Sequence, residues 1–148
     1  LVAEMYRDAA DYWQMERGPH RAEDVAAEFF TSAPPGCDPA LSHRLGLFAQ
    51  DRLAGVAELS FGFPAAGDAY LGLMVFAQWA RGVQRGEALL KHIETLARAA
   101  GCTQIFLGVL DKNHLGREFW EREGFRATGL SGTNAKTGNL MHRLGKQL

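Results

Sequence analysis

Two arginines and two glycines share the six residues Arg81-Gly82-Val83-Gln84-Arg85-Gly86. Glycine lets a backbone approach a ligand closely, and arginine donates charge-assisted hydrogen bonds to phosphate oxygens. The segment stands between an apolar run, Ala69–Ala77, and the helix-periodic stretch Glu87–Ala100. At such a junction the first amides of the helix lack intrahelical partners and the helix dipole favours negative charge, so the spacing can hold an anion. The same spacing is also that of a plain strand-to-helix turn with solvated arginines. Other chemistries find less support. His20, His43, His92, His114 and His142 are scattered, with no carboxylate or cysteine at ligand spacing, so no metal site is expected. There is no GxSxG elbow and no sequence cue for a cysteine nucleophile.

The elements that must position this loop can be read from periodicity. Met5, Ala9, Tyr12 and Trp13 recur at helical spacing and predict one helix over Glu4–Glu16, stopped at Arg17-Gly18. HRAEDVAAEFF predicts a second, with acids early and Val25, Ala26, Phe29 and Phe30 on its apolar side. Three prolines and Gly36 make TSAPPGCDP a loop. HRLGLFAQ and LAGVAELSFGF, separated by Asp51 and Arg52, read as a hairpin, and AYLGLMVF as a strand covered on both faces. Leu89, Leu90, Ile93, Leu96, Ala97 and Ala100 form one stripe, with Glu87/Lys91 and Glu94/Arg98 as i,i+4 pairs and Gly101 at the end. TQIFLGVL reads as a buried strand, HLGREFWERE as a short helix stopped by Gly124, and FRATGL and NLMHRLG as further strands. The order predicts a mixed α/β fold, an antiparallel meander followed by a crossover unit.

Length and composition set the outer limits. At 148 residues the chain is expected to be one domain with a real core, spanning 1–148. Lys and Arg number 16 against 17 Asp and Glu, so no overall field draws it to nucleic acid or an anionic membrane, and any anion site must be local. No apolar run approaches the ~20 residues of a membrane span, and no signal peptide is evident, so a soluble, cytoplasmic protein is expected. Cys37 and Cys102 fit no metal pattern; reduced thiols are expected, with a single long-range bridge as the other possibility.

RGVQRGEALL resembles the Q/R-x-x-G-x-G/A loop of the GCN5-related N-acetyltransferase (GNAT) superfamily, with Arg81, Gly82 and Gly86 matching. NHLGREFWEREGF resembles the family's second signature, N-x-x-A-x-x-F-Y-x-x-x-G-F, through Asn113, Phe119, Gly124 and Phe125. The two lie in the family's order and separation, and the resemblance covers nearly the whole chain. It implies a GNAT-like mixed sheet flanked by helices. The departures are specific. Gln84 stands where the loop has glycine, so its backbone is expected to avoid a positive φ or to move aside. Gly116 replaces an alanine. Trp120 replaces a tyrosine held to act as general acid, and an indole N–H cannot deliver a proton in that role. The family's first strand is expected to be missing, because the chain begins in or just before the first helix.

The resemblance implies acetyl-coenzyme A as cosubstrate and no metal. The backbone of Gly82, Val83, Gln84, Arg85, Gly86 and Glu87 would cradle its pyrophosphate, with Arg81 and Arg85 assisting. The backbone of Met74, Val75 and Phe76 would pair with the pantetheine arm, and Asn113 and Phe119 would lie beside its thiol end. The activity implied is direct attack by the primary amine of a small-molecule or amino-acid-like acceptor. An unperturbed alkyl amine has a pKa near 10.4, so only roughly one in a thousand is neutral at pH 7 and a base is required. Glu58 is the first candidate, and Tyr70 and Asp68 the second. Tyr12, Trp13 and Glu16 would line the acceptor pocket, although core packing explains their spacing equally. A non-catalytic acyl-coenzyme A binding module is the alternative reading, motivated by Trp120 and the missing strand. A homodimer is favoured by the sheet edge that strand would leave unpaired.

Overall fold

A six-stranded mixed sheet in the order β1-β2-β3-β4-β6-β5 divides the helices into two layers. The structure is a computed structural model and describes residues 1–148. Its strands are β1 (His43–Ala49), β2 (Arg52–Phe61), β3 (Asp68–Phe76), β4 (Gln104–Leu110), β5 (Arg126–Thr133) and β6 (Leu140–Gln147). The helices are α1 (Val2–Arg7), α2 (Ala10–Arg17), α3 (Ala22–Phe29), α4 (Arg85–Ala99) and α5 (His114–Arg122). All pairs are antiparallel except β3 with β4. The mixed α/β class expected from the pattern is therefore found, and β1 forms one edge of the six-stranded sheet.

One face of the sheet packs against α4 and α5, the other against α1, α2 and α3. On the first, Leu89, Leu90, Ile93 and Ala97 of α4 meet Ala57, Leu59, Ile105 and Leu107. Burying a leucine or isoleucine of this kind contributes about 1.5–3 kcal/mol, which explains why the 15-residue amphipathic stripe of α4 is the firmest element to read. On the second face, Met5, Tyr6, Trp13, Val25 and Phe29 cover Val56 and Val75. Arg44 closes this layer: its guanidinium donates to the carbonyls of Phe29, Ser32 and Pro39, the frayed end of α3 and the proline loop.

The expected single helix over Glu4–Glu16 is two helices, α1 and α2, broken at Asp8 and Ala9. The cause is tertiary. The Asp8 carbonyl accepts from the Gln78 amide at 2.8 Å, and the Asp8 carboxylate accepts from Trp79 Nε1 and Arg52, so the chain trades helical bonds for ties to the β3–α4 connection. Cys37 and Cys102 are both free thiols.

Candidate active site

Along β3 and β4 the parallel ladder runs only from Asp68↔Gln104 to Leu71↔Leu107. Beyond it β3 continues against β2, and β4 against β6, so the two strands part company. The residues at the fork are glycines: Gly72 follows Leu71 and Gly108 follows Leu107. Glycine inside a strand marks a bulge or a close approach, and both occur here. The β2–β3 register jumps between Glu58↔Leu73 and Leu59↔Leu71, leaving Gly72 as the extra residue of a β-bulge. One extra residue reverses the alternation: Leu71 faces the α4 layer, whereas Leu73 and Val75 face the α1–α3 layer. The continuous apolar run of β3 thus serves two cores in turn.

Two cavities meet at this fork. One, of about 50 Å³, follows the parted strands past Met74, Val109, Leu110, Asn113 and Trp120. The other, of about 180 Å³, lies between the sheet and α1–α3, under Tyr6, Trp13, Val25 and Phe29. Tyr12, Gly72, Leu73 and Gly108 line both. Glu58 lines the larger one, and its carboxylate crosses Gly72 so closely that a β-carbon there would fall 2.0 Å from Oε2. Only 5% exposed, this carboxylate accepts from Ser60 Oγ at 2.5 Å, and Ser60 Oγ is in turn 2.7 Å from Ser42 Oγ. Ser60 has one proton and commits it to Glu58, so Ser42 is the donor in the second bond. Both hydroxyl protons point toward the carboxylate.

The loop comes near the smaller cavity through Gly86, which stands beside Met74 of the cavity wall. None of the amide N–H groups of Gly82, Val83, Gln84, Arg85, Gly86 or Glu87 donates to another group of the protein. Gln84, at the N-cap of α4, adopts φ 64° and ψ 13°. This corrects the expectation that a non-glycine would avoid the left-handed region: glutamine takes the glycine-like conformation and carries its strain. Gly86 is needed for packing, since a β-carbon would press on the Phe119 ring at 3.2 Å and approach Met74. Arg81 is turned away from the amides. Its guanidinium makes a two-pronged ion pair with Asp11, at 2.5 and 3.1 Å, and donates to the Phe76 carbonyl, so it braces the loop against α2. That hydrogen bond holds the Asp11 carboxyl below its ordinary value. Arg85 donates to the Ala80 carbonyl.

Asn113 Oδ1 caps α5 through the Gly116 amide at 2.9 Å. A β-carbon on Gly116 would lie 2.4 Å from Asn113 Nδ2, so the glycine that replaces the motif's alanine makes room for this cap. Trp120, buried against Phe119 and Phe125, forms a wall of the smaller cavity. Tyr12 and Trp13 both line the larger cavity; burial, then the neighbouring Glu16 carboxylate, push the Tyr12 hydroxyl up to about 12. Tyr70 lies outside both cavities, packed on Phe63 and beneath the Arg143 guanidinium. Burial raises its hydroxyl pKa, which makes it a poor proton acceptor at neutral pH. Asp68 is spent on the Ala65 turn. No three His, Cys, Asp or Glu side chains converge as a metal site would require, and no helix is long and apolar enough to cross a membrane.

Sequence reasoning did not single out Gly72, Gly108, Ser42, Ser60, Arg17, Glu28 or Asn139. A signal existed for the first two, because Leu-Gly followed by an apolar residue recurs in both strands of the fork. Asn139 is buried and donates from Nδ2 to the carbonyls of Met15 and Glu16, tying the β5–β6 connection to the end of α2 and fixing that wall of the larger cavity.

A sheet split after a short parallel ladder, a loop of free amides at the start of α4 and a buried carboxylate at the fork define the site of this α/β protein. The sequence model of the acetyltransferase (GNAT) family matches residues 2–125, and the chain belongs to that family. Acyl transfer is the activity that this membership carries. No curated protein matches it by sequence. Among solved structures, an acetyltransferase from Thermus thermophilus aligns over 100% of this chain and 89% of its own, with a TM-score of 0.75 and 20% identity. A GCN5-related N-acetyltransferase from Kribbella flavida aligns over 88% and 79%, with a TM-score of 0.64 and 21% identity. The PaiA N-acetyltransferase from Thermoplasma acidophilum, solved in complex with coenzyme A, aligns over 72% of this chain and 61% of its own, with a TM-score of 0.61 and 23% identity. At these identities the likeness is one of fold.

Proposed function

We propose that residues 1–148 act as one unit that moves an acetyl group from acetyl-coenzyme A to the amine of a small molecule. The observation that carries this reading is the meeting of two cavities at Gly72 and Gly108, with the Glu58 carboxylate at the junction. The residues present suit the coenzyme. Six amides without protein partners at a helix N-terminus would hold its pyrophosphate, and the unladdered edge of β3 around Met74, Val75 and Phe76 would run beside its pantetheine arm, with Asn113 and Phe119 flanking the far side. When bound, the coenzyme supplies an acetyl carbon activated by a good thiolate leaving group.

The acceptor enters the larger cavity as an ammonium ion. Glu58 takes its proton, and the nitrogen lone pair becomes free for attack. The Ser42 and Ser60 hydroxyls, aligned toward Glu58, hold its carboxylate in place before the acceptor arrives. Trp120 occupies the place of the family's tyrosine and supplies an apolar wall; the leaving thiolate needs no strong acid and takes its proton from solvent. Arg81, bound to Asp11, keeps the loop in register with α2.

Calorimetric titration with acetyl-coenzyme A and with desulfo-coenzyme A tests the loop, and thiol release in the presence of amines tests transfer. Both coenzymes are expected to bind. Glu58→Gln is expected to lower kcat/KM about 10²–10⁴-fold at unchanged coenzyme affinity. Failure of both coenzymes to bind overturns the assignment of the loop. Binding without turnover of any amine favours the second reading, a non-catalytic acyl-coenzyme A module, for which Trp120 is the motive.

A further inference from the structure

We infer that the acceptor is a dicationic amine without a carboxylate, one nitrogen reacting at Glu58 and a second positive group held between Glu16 and Glu28. This rests on the reading of the larger cavity as the acceptor site. Its lining carries three carboxylates, Glu16, Glu28 and Glu58, against one guanidinium, Arg17. Arg17 is already engaged: it donates to Glu16 at 2.6 Å and to Glu28 at 2.8 Å, and it stacks 5.0 Å from the Trp13 ring. An acceptor with a carboxylate therefore finds no free cation here, and would have to displace a carboxylate from Arg17 to gain one. Once Glu58 has taken the proton of the reacting amine, the wall still holds two carboxylates around a single guanidinium. A second cation on the acceptor cancels that excess.

A separate observation also points to a ligand on this wall. Tyr6 Oη and Trp13 Nε1 are buried, on side chains 0% and 4% exposed, and neither has a hydrogen-bond partner in the protein. Both side chains line the cavity together with Tyr12, Arg17 and Glu28. An unpaired buried polar group is costly, and of the two the Tyr6 oxygen is the one that an occupant carrying N–H donors would satisfy. A phenol oxygen accepts from an ammonium group. Amino acids, whose carboxylates would meet Glu16 and Glu28, are disfavoured.

The test compares 1,4-diaminobutane, 1-aminobutane and 4-aminobutanoate, matched in chain length, by calorimetric titration at pH 7.5 with and without desulfo-coenzyme A, and by kcat/KM with acetyl-coenzyme A. The diamine is expected to bind at least about tenfold more tightly than the monoamine and the amino acid least well, with the preference shrinking as salt is raised. Glu28→Gln, at a half-exposed position, is expected to lose most of the diamine preference while binding desulfo-coenzyme A as the wild type does. Equal binding of diamine and monoamine, or better binding of the amino acid, overturns the inference. So does absence of diamine binding in a protein that binds desulfo-coenzyme A and acetylates the monoamine, an outcome that leaves the transfer reading intact. Selective diamine binding with no acetylation upholds the inference and overturns the transfer reading.

Discussion

Replacing Gly72 by alanine adds one methyl group at the point where the fork, the bulge and the candidate base coincide. Gly72 does not need a left-handed backbone, so the methyl alone is the perturbation. It would sit 2.0 Å from Glu58 Oε2 and 3.2 Å from Glu58 Cδ. The carboxylate must then retreat by at least ~1 Å to restore van der Waals spacing. Ser60 lies on the same strand as Glu58 and holds Oε1 at 2.5 Å, so the retreat breaks that bond. A hydrogen bond to a buried charge is worth about 1.5–3 kcal/mol, which sets the expected loss of stability. A misplacement of ~1 Å costs on the order of 10²-fold in rate, and loss of the base as much as ~10⁴-fold. Gly72→Ala should therefore lower kcat/KM by ~10²–10⁴-fold with desulfo-coenzyme A affinity little changed, because the methyl points toward Glu58. In the double variant Gly72→Ala, Glu58→Ala the clash is gone: stability should recover and the rate should fall no further than in Glu58→Ala alone, a coupling that a double-mutant cycle reads directly. Wild-type kcat/KM in Gly72→Ala would refute both the placement of the carboxylate and its role.

At the loop, Gln84→Gly should bind desulfo-coenzyme A at least as tightly as the wild type, whereas the β-branched Gln84→Val, forced into φ near 64°, should bind it about tenfold more weakly by calorimetry. Asn139→Ala removes the two hydrogen bonds to the end of α2 and leaves the Met15 and Glu16 carbonyls without this partner; a loss of roughly 1 kcal/mol is expected as a Tm a few degrees lower, with KM rising for the acceptor and not for the coenzyme. The Tyr12 hydroxyl titrates at about 12 in the fold against about 10 when unfolded, so its contribution is fully present below pH 10 and is lost as pH rises toward 12. Thermal melts should show a stability decline over that window which Tyr12→Phe blunts, and Tyr12→Phe should leave the pH–rate profile below pH 9 unmoved. Asp11→Asn frees Arg81; because the pair is half-exposed, at most ~1 kcal/mol is expected, and the wild-type contribution should persist down to pH values below the ordinary aspartate range.

Local information was enough for α4 and for the meander, because their apolar periods are unbroken and their ends carry turn residues. The place of the loop between β3 and α4 was legible too, since an apolar run precedes it and a helical stripe follows it. Local information failed where the deciding partner is remote. The break between α1 and α2 depends on an amide from Gln78, seventy residues on from Asp8, and nothing in Glu4–Glu16 announces it. Arg81, read as a phosphate ligand from its position in the loop, is claimed by Asp11 across the chain. Glu58 could be proposed as a base from the strand pattern, but Ser42 as the donor to its neighbour Ser60 could not, since β1 and β2 must pair before the two hydroxyls meet. The reversal of faces at Gly72 was invisible because every residue around it is apolar.

The four-rung parallel ladder has a mechanical meaning. On either side of it lies a three-stranded leaf, β1-β2-β3 and β4-β6-β5, each internally well laced. The leaves share a spine that covers less than half the length of β3, and beyond it β3 and β4 are not paired with each other. Whatever lies in that seam becomes part of the binding that holds the book together. A ligand that bridged the two leaves would add its own binding energy to the short spine, so occupancy should raise the stability of the whole sheet.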